Sequence, residues 1–221
     1  MKRFCCLFIV LFSVLLVYSQ GTVSFRDKDF VYSTQRDSNL DSILSNQLSY
    51  QQLSSEEKDV IYWINYVRKK PSVFYHEVLA SFLTQFPEIK SSYSRSLTAD
   101  LLNSPSLPIL IPSGKLNTVA SKHATDLGST GSRISHNSSR GTSFQERMNQ
   151  EGLTNCIAEN IYEGRKDALE SVIFLLIDQG VPNLGHRKNI LSKSNNLIGV
   201  SFHAIKGRSP SFFLVQNFSC E

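Results

Sequence analysis

The end of the chain carries two β-rich segments, NLIGVSFHAI at residues 196–205 and SFFLVQNFS at residues 211–219. The segment between them, KGRSP, contains the glycine and proline that favour turns. Two runs of β-branched and aromatic residues joined in this way predict a β-hairpin. A third, shorter strand is predicted from CIAENIYEG at residues 156–164.

The sequence before the hairpin predicts helices. Ser54 and Glu57 are spaced as a capping box, and apolar residues recur behind them at helical spacing as far as Pro71. Further helices are expected at residues 72–86, from Ser113 onward, at residues 142–152 and at residues 167–180. Because helices come first and paired strands last, the fold class predicted is α+β, with an antiparallel sheet covered by helices. Residues 88–112 and 128–141 predict loops.

The N-terminus has the layout of a secretory signal peptide at residues 1–19, with a basic start, an apolar run and small residues after it. The alternative is an uncleaved membrane anchor. The apolar run from Phe4 to Val17 is shorter than the roughly 20 residues that a spanning helix needs, so cleavage is preferred. The sequence therefore predicts a secreted protein, extracellular or periplasmic in a bacterium, that is not an integral membrane protein after cleavage. Residues 20–53 predict a loose N-terminal extension, and residues 54–221 the folded domain.

The net charge argues against nucleic-acid binding, and the cysteine count bears on disulfide formation. Loss of Lys2 and Arg3 with the signal lowers the formal charge from +4 to +2, and the remaining basic residues are scattered, so no nucleic-acid partner is expected. Two cysteines, Cys156 and Cys220, remain in a compartment that permits disulfides. An even count favours a bridge worth about 4 kcal/mol, and two unpaired buried thiols are the alternative.

Two carboxylates stand in apolar surroundings. Asp178 lies at the end of an apolar helix, and Glu159 shares one face of a strand with Ile157 and Ile161. A buried carboxylate needs a partner because an unpaired buried charge is costly. The alternatives are that Asp178 meets water in a frayed last turn and that Glu159 is exposed at a sheet edge.

Histidines are the available partners. His136 lies in a glycine-rich loop and His186 in the segment GHRKNIL at residues 185–191. Imidazoles and carboxylates together could bind a divalent metal or perform acid–base chemistry, and a lone loop histidine could equally have no role. His123 lies on an apolar helix stripe and is expected to be a core histidine that donates to a backbone or side-chain acceptor. His76 and His203 belong to no visible constellation.

Several segments together resemble the CAP superfamily, also called SCP/TAPS, which groups cysteine-rich secretory proteins, venom antigens and pathogenesis-related proteins with simpler bacterial members. They are INYVRKKP, LNTVASKHATDL, SHNSSRGTSFQERMNQEG, AENI, LLIDQGVPNLGHRKNIL and IGVSF, spread over residues 57–219. AENI followed by GHRKNIL is the most specific part of the match, and GHRKN resembles the bacterial-type SCP domain.

The resemblance implies an α-β-α sandwich with a cleft of two histidines and two acids. The family positions map to His136, Glu159, Asp178 and His186. This chain departs from the family where Asp178 replaces a longer glutamate and where Leu175 replaces a tryptophan. At most Cys156–Cys220 replaces the several disulfides of animal members.

Three functional hypotheses follow. The first is a secreted binding or interaction module whose cleft holds zinc or another divalent cation through His136 and His186, or binds a lipid, a sterol or an extracellular protein. The second is a metal-assisted hydrolase with Glu159 as general base. The third is a purely structural tetrad. The sequence has no G-x-S-x-G or H-E-x-x-H motif, so binding is preferred to catalysis. Asn137 and Asn217 are glycosylation sequons.

Overall fold

A computed structural model describes residues 22–23 and 28–220. The predicted signal peptide, residues 1–19, lies outside the described residues. The helices, in chain order, are α1 (Ser38–Ser45), α2 (Leu48–Gln51), α3 (Ser55–Lys69), α4 (Pro71–Phe74), α5 (Ala80–Gln85), α6 (Ser92–Asn103), α7 (Gly114–Thr130), α8 (Phe144–Gln150), α9 (Ala168–Ile177) and α10 (Gly185–Ile190). A π-helical segment, Tyr75–Leu79, connects α4 to α5, and a 3₁₀ turn, Pro87–Ile89, follows α5.

One sheet forms the middle layer. Its strands are β1 (Thr22–Val23), β2 (Ile111–Pro112), β3 (Ala158–Gly164), β4 (Leu197–Ala204) and β5 (Phe212–Ser219), in the spatial order β1-β3-β5-β4-β2. β3, β5 and β4 are antiparallel, and β4–β5 is the predicted hairpin. β1 and β2 pair in parallel with β3 and β4, so the sheet is mixed and not purely antiparallel. The two edge strands were missed because two residues are too few to give an alternating pattern.

The three long strands divide their side chains between two helical layers. Odd-numbered residues such as Ile161 and Val215 pack with Ala120 and Ala124 of α7. Even-numbered residues such as Tyr162, Val200 and Leu214 pack into a larger core with α3 and α9. Because a strand alternates its side chains, β3 and β5 contribute to both cores, while β4 contributes Ile198 and Val200 to the larger one. The result is the α-β-α sandwich that the resemblance implied.

The local helix signals behave as expected. Ser54 accepts from the Glu57 backbone N–H, and the Glu57 carboxylate accepts in return from the Ser54 N–H, which completes the predicted capping box of α3. Ser143 and Glu146 form the same arrangement at the start of α8. Satisfying the free N–H groups of a first helical turn in this way contributes about 1 kcal/mol per cap.

Two predictions for irregular chain were wrong. In the predicted loose extension, the part from residue 28 onward packs on the domain, because Leu40 and Leu44 project from one face of α1 and are fully buried. The predicted loop at residues 88–112 contains α6 and β2. Its serines suggested a loop, but Ser91 and Ser94 cap α6 reciprocally, and Leu97 and Leu101 then anchor it in the core.

Candidate functional site

Glu159 lies on β3 with its side chain directed toward α7, on the face that the sequence predicted. It is buried, and its partner is Arg147 of α8, whose Nη2 donates to both carboxylate oxygens at 2.9 and 2.8 Å. His136 Nδ1 lies 2.9 Å from Glu159 Oε1, and the Asn217 amide nitrogen, in its favourable orientation, lies 3.1 Å from Oε2. The predicted need for a partner is therefore met, chiefly by an arginine that the sequence analysis did not consider.

Arg147 also fixes the loop that carries His136. Its Nη1 donates to the His136 carbonyl at 2.8 Å and lies 3.3 Å from the Thr142 carbonyl. The loop is thus held to the same guanidinium that neutralises Glu159. A buried carboxylate is stable here because a charge of opposite sign and several donors surround it. The His136 side chain is about one-third exposed, at 34%.

Asp178 and His186 form a second pair, and both are buried. Asp178 ends α9 in the left-handed conformation, with φ 59°, which turns its carboxylate toward the start of α10. His186 Nδ1 lies 2.7 Å from Asp178 Oδ1, while Oδ2 accepts the backbone N–H groups of His186 and Arg187 at 2.9 and 3.2 Å. The alternative that Asp178 meets water in a frayed turn is wrong, because none of it is exposed.

The rest of the GHRKN segment holds elements together. Arg187 donates to the Leu176 and Ile177 carbonyls at the end of α9. It also donates to three groups of α6, which are the Tyr93 carbonyl, Ser96 Oγ and Asp100 Oδ2. A cation at a helix C-terminus interacts favourably with the helix dipole. Asn160 Nδ2 donates to the His186 carbonyl and Asn189 Nδ2 to Asn160 Oδ1, which connects α10 to β3.

The two pairs lie on opposite faces of the sheet. Glu159 and Asn160 are consecutive in β3, so their side chains point to opposite sides. Glu159 contacts groups of the α7 layer, whereas Asn160 contacts the α10 layer that carries His186. The structure therefore brings together His136 with Glu159 and Asp178 with His186, and the convergence of both pairs in one cleft stays a prediction of the resemblance. Odd and even positions in the strand are separated by the sheet itself.

This placement bears on the predicted zinc site. In each pair the histidine Nδ1 lies within hydrogen-bonding distance of the carboxylate. Carboxylates that do not bind the metal themselves orient metal-binding imidazoles in the same way. The two imidazoles nevertheless belong to different layers, and Arg147 already holds both oxygens of Glu159. Among the described residues, no group of three or more histidine, cysteine or acidic side chains is arranged to hold a metal ion. The donor set does not fit a four-coordinate zinc ion.

A cavity of about 370 Å³ opens on the α7 layer beside Arg147. Its described lining residues come from α7, the loop after it, α8 and the residue that follows α8, and they are Val119, Lys122, His123, Asp126, Ser138, Arg140, Thr142, Arg147, Gln150 and Glu151. We call this the α7 cavity. His123 is buried, as expected of a core histidine, and its Nε2 lies 2.9 Å from the Ser135 carbonyl. Burial lowers the pKa of His123 below its ordinary value of 6.5.

The profile of the CAP family, described as the cysteine-rich secretory protein family, matches residues 63–218, more than half of the chain. This chain belongs to the CAP family. The disulfide predicted for it is present between Cys156 and Cys220, whose Cα atoms are 5.3 Å apart. It joins the residues preceding β3 to those following β5 at one end of the sheet.

Three solved structures are similar to this CAP chain over part of its length. An extracellular protein containing an SCP domain from Bacillus anthracis is 20% identical over 61% of this chain, with a TM-score of 0.41. A cysteine-rich secretory protein from Staphylococcus aureus is 13% identical over 62% of it, with a TM-score of 0.37. An outer surface protein from Borrelia burgdorferi is 22% identical over 57%, with a TM-score of 0.40.

This CAP chain spans 40% and 38% of the Bacillus and Staphylococcus chains, and 86% of the Borrelia chain. Comparison with curated proteins gives no match. Where the structure describes the chain, none of its helices is both long enough and apolar enough to cross a membrane.

Sequence reasoning missed Arg147 and Arg187. Arg147 lies between Glu146 and Met148 in a short polar helix, a context that is usual for a solvent-exposed arginine. Arg187 carried a weak signal, since it follows His186 in the motif that supports the family assignment.

The two glycosylation sequons differ in exposure. Asn137 is exposed beside the α7 cavity, whereas Asn217 is fully buried in β5.

Proposed function

We propose that this CAP protein is an extracellular binding module whose ligand site is the α7 cavity, and that it is not an enzyme. The observation that carries the proposal is that Arg147 Nη2 donates to both oxygens of Glu159, at 2.9 and 2.8 Å. A buried ion pair of this kind holds structure in place because breaking it leaves an uncompensated charge. Glu159 is then best understood as an anchor for the cavity wall.

The remaining acid supports the same interpretation. Asp178 accepts from His186 Nδ1 and from two backbone N–H groups at the start of α10. Its oxygens are occupied with orienting that helix, and the side chain is not exposed. Hydrolysis through either acid would require these structural bonds to break during turnover. Zinc binding through His136 and His186 is the competing proposal. It predicts that replacing one of the two histidines, whichever it is, abolishes zinc uptake.

The lining of the α7 cavity favours a polar ligand over a lipid or a sterol. Of the described residues that form it, Val119 alone is apolar. Sites for drug-sized and lipid ligands are lined mainly by apolar and aromatic side chains.

Extracellular location is supported by the predicted signal at residues 1–19 and by the disulfide between Cys156 and Cys220. The N-terminal residue of the exported protein, determined by sequencing, tests the cleavage.

The site is tested by titrating purified protein with a fragment set of neutral, anionic, cationic and fatty compounds while backbone amide resonances are recorded. Binding should shift resonances of residues lining the α7 cavity. Gln150 is an exposed lining residue at the end of α8. Gln150→Trp should abolish these shifts because the larger indole side chain would fill the cavity. Gln145→Trp is the matched control, since Gln145 is exposed on the same helix and is not part of the lining.

Two results would contradict the proposal. One is ester or peptide turnover that is lost in Glu159→Gln. The other is binding confined to residues outside the α7 cavity. Calorimetry with Zn²⁺ is run in parallel on wild-type protein and on His136→Ala and His186→Ala. Stoichiometric uptake that either substitution removes would support the metal site instead.

A further inference from the structure

The chain carries two N-x-S sequons, at residues 137–139 and 217–219, and the proposed binding function uses neither of them. In a secreted protein such a tripeptide can accept an N-linked glycan. A glycan is bulky and hydrophilic, so the folded protein can carry it only where the asparagine lies on the surface. The fold therefore decides which of the two sequons is usable.

The surroundings of Asn137 suit a glycan. The residue is exposed, and it directly precedes a turn in which the Gly141 N–H donates to the Ser138 carbonyl at 2.9 Å. Its backbone N–H donates to Ser135 Oγ at 3.0 Å, whereas its side-chain amide makes no hydrogen bond within the described part of the chain. A glycan on Nδ2 would thus displace no contact of the protein.

The loop around Asn137 is held by other residues. On one side, Arg147 Nη1 donates to the His136 carbonyl at 2.8 Å. On the other, the Ser139 N–H and Oγ donate to the Asp126 carboxylate at 2.6 and 2.5 Å. Because these bonds do not involve the Asn137 side chain, its modification leaves the conformation of the loop intact.

The surroundings of Asn217 exclude a glycan. The residue is fully buried in β5, the central strand of the sheet. In its favourable orientation, its amide nitrogen lies 3.1 Å from Glu159 Oε2. A sugar on this nitrogen would break that contact and place unpaired hydroxyl groups in the core, which is costly. A chain modified at Asn217 could not bring β5 into the sheet.

We propose that passage through a eukaryotic secretory pathway places an N-linked oligosaccharide on Asn137, and that the folded protein carries none on Asn217. The donor class is an oligosaccharide linked to a lipid diphosphate. A bond forms between Asn137 Nδ2 and the anomeric carbon of the sugar, while the bond from that carbon to the diphosphate oxygen breaks. The lipid diphosphate leaves with the electron pair, and the amide nitrogen loses one proton.

The order of events follows from the Ser139 hydroxyl. The sequon requires this hydroxyl, yet in the folded protein it is engaged with Asp126. Transfer therefore takes place before the loop has folded, at a stage when β5 is not yet buried either. Burial of Asn217 acts later, because it prevents any chain modified there from folding.

The test uses the full chain, including residues 1–19, produced in cultured eukaryotic cells. Folded protein is purified from the medium, digested, and treated with peptide N-glycosidase in H₂¹⁸O. This enzyme converts each glycan-bearing asparagine to an aspartate that carries ¹⁸O, so peptide mass spectrometry identifies the modified positions. We expect the label at Asn137 and not at Asn217.

Variants of two adjacent serines separate the sequon from the stability of the loop. Ser139→Ala removes the required hydroxyl and should abolish the glycan, seen as increased mobility in gel electrophoresis, whereas Ser139→Thr should retain it. Ser138→Ala is the matched control, because it leaves the sequon intact. Each alanine variant loses one loop hydrogen bond, to Asp126 or from the Thr142 N–H, so an effect of loop stability would appear in both.

Three results would overturn the proposal. The first is exported, folded protein in which Asn137 is unmodified, and the second is folded protein with a glycan on Asn217. Both leave the binding function of the α7 cavity standing, since the fragment titration tests that function separately. The third is a chain that stays unmodified inside the cell, which would also contradict the extracellular location.

Discussion

At the scale of single residues, the Arg147–Glu159 pair dominates the energetics of the site. Both side chains are buried, so removing one leaves the other charged and uncompensated. We expect Arg147→Met to lower the free energy of unfolding by about 3 kcal/mol. The double variant Arg147→Met/Glu159→Gln should recover part of that loss because it leaves no buried charge. Urea unfolding at pH 7 measures both, and an unchanged loss in the double variant would mean that packing is responsible.

His123 gives stability a pH dependence near neutrality. Burial lowers its pKa in the folded protein below the ordinary value of 6.5, so the unfolded chain binds the proton more readily. The contribution of the neutral ring is present above pH 6.5 and decreases as the pH falls below it. Unfolding free energies at pH 7.5 and pH 5.5 should therefore differ more in the wild type than in His123→Gln. Equal differences in the two proteins would show that other groups cause the pH dependence.

At the scale of elements, α7 packs so closely on β4 that one glycine is required. A Cβ atom at Gly199 would collide with the backbone of Leu116 and Asn117. Neither backbone can yield without moving the helix, so Gly199→Ala should cost about 3 kcal/mol, and it should shift the amide resonances of α7. Gly114→Ala is the control in α7 itself, since its Cβ would meet only Ser49 Oγ at 3.5 Å. Thermal unfolding of the two variants tests the difference.

The elements that could be predicted are those whose signals are local. The capping boxes of α3 and α8, the apolar stripe of α7 and the turn of the β4–β5 hairpin all follow from spacing along the chain. α6 could not be recognised because serines occur both in loops and as helix caps. The burial of Leu97 and Leu101, which decides between the two, depends on the tertiary structure. β1 and β2 exist through pairing with distant strands, which no short sequence window contains.

At the scale of the whole molecule, the sheet should make the two acid–histidine pairs independent. Contributions of residues on separate networks add to within about 0.5 kcal/mol, whereas members of one network couple by 0.5–3 kcal/mol. We expect the destabilisation of His136→Ala/His186→Ala to equal the sum of the single effects. A double-mutant cycle by urea unfolding measures this. Coupling above about 1 kcal/mol would indicate a single four-residue cleft.

The site shows the limit of sequence reasoning for the molecule as a whole. The sequence correctly required partners for Glu159 and Asp178, because burial of a charge is a local question. Which partner each acid takes depends on the face to which its strand or helix turns it. The left-handed φ of Asp178 and the position of Arg147 on α8 decide this, and both are consequences of the assembled fold.

Glu159 and Asn160, which lie on opposite faces of β3, specify the register of this strand in the sheet. Glu159 and Asn160 require different neighbours, a guanidinium on one side and the amide and carbonyl groups of Gln216 and His186 on the other. A slip of one residue would exchange them and strand a carboxylate without a counter-ion. Mispaired intermediates are thereby penalised more heavily than apolar alternation alone would penalise them. The Cys156–Cys220 bridge joins the residues that flank these two strands and so holds the same register from one end of the sheet.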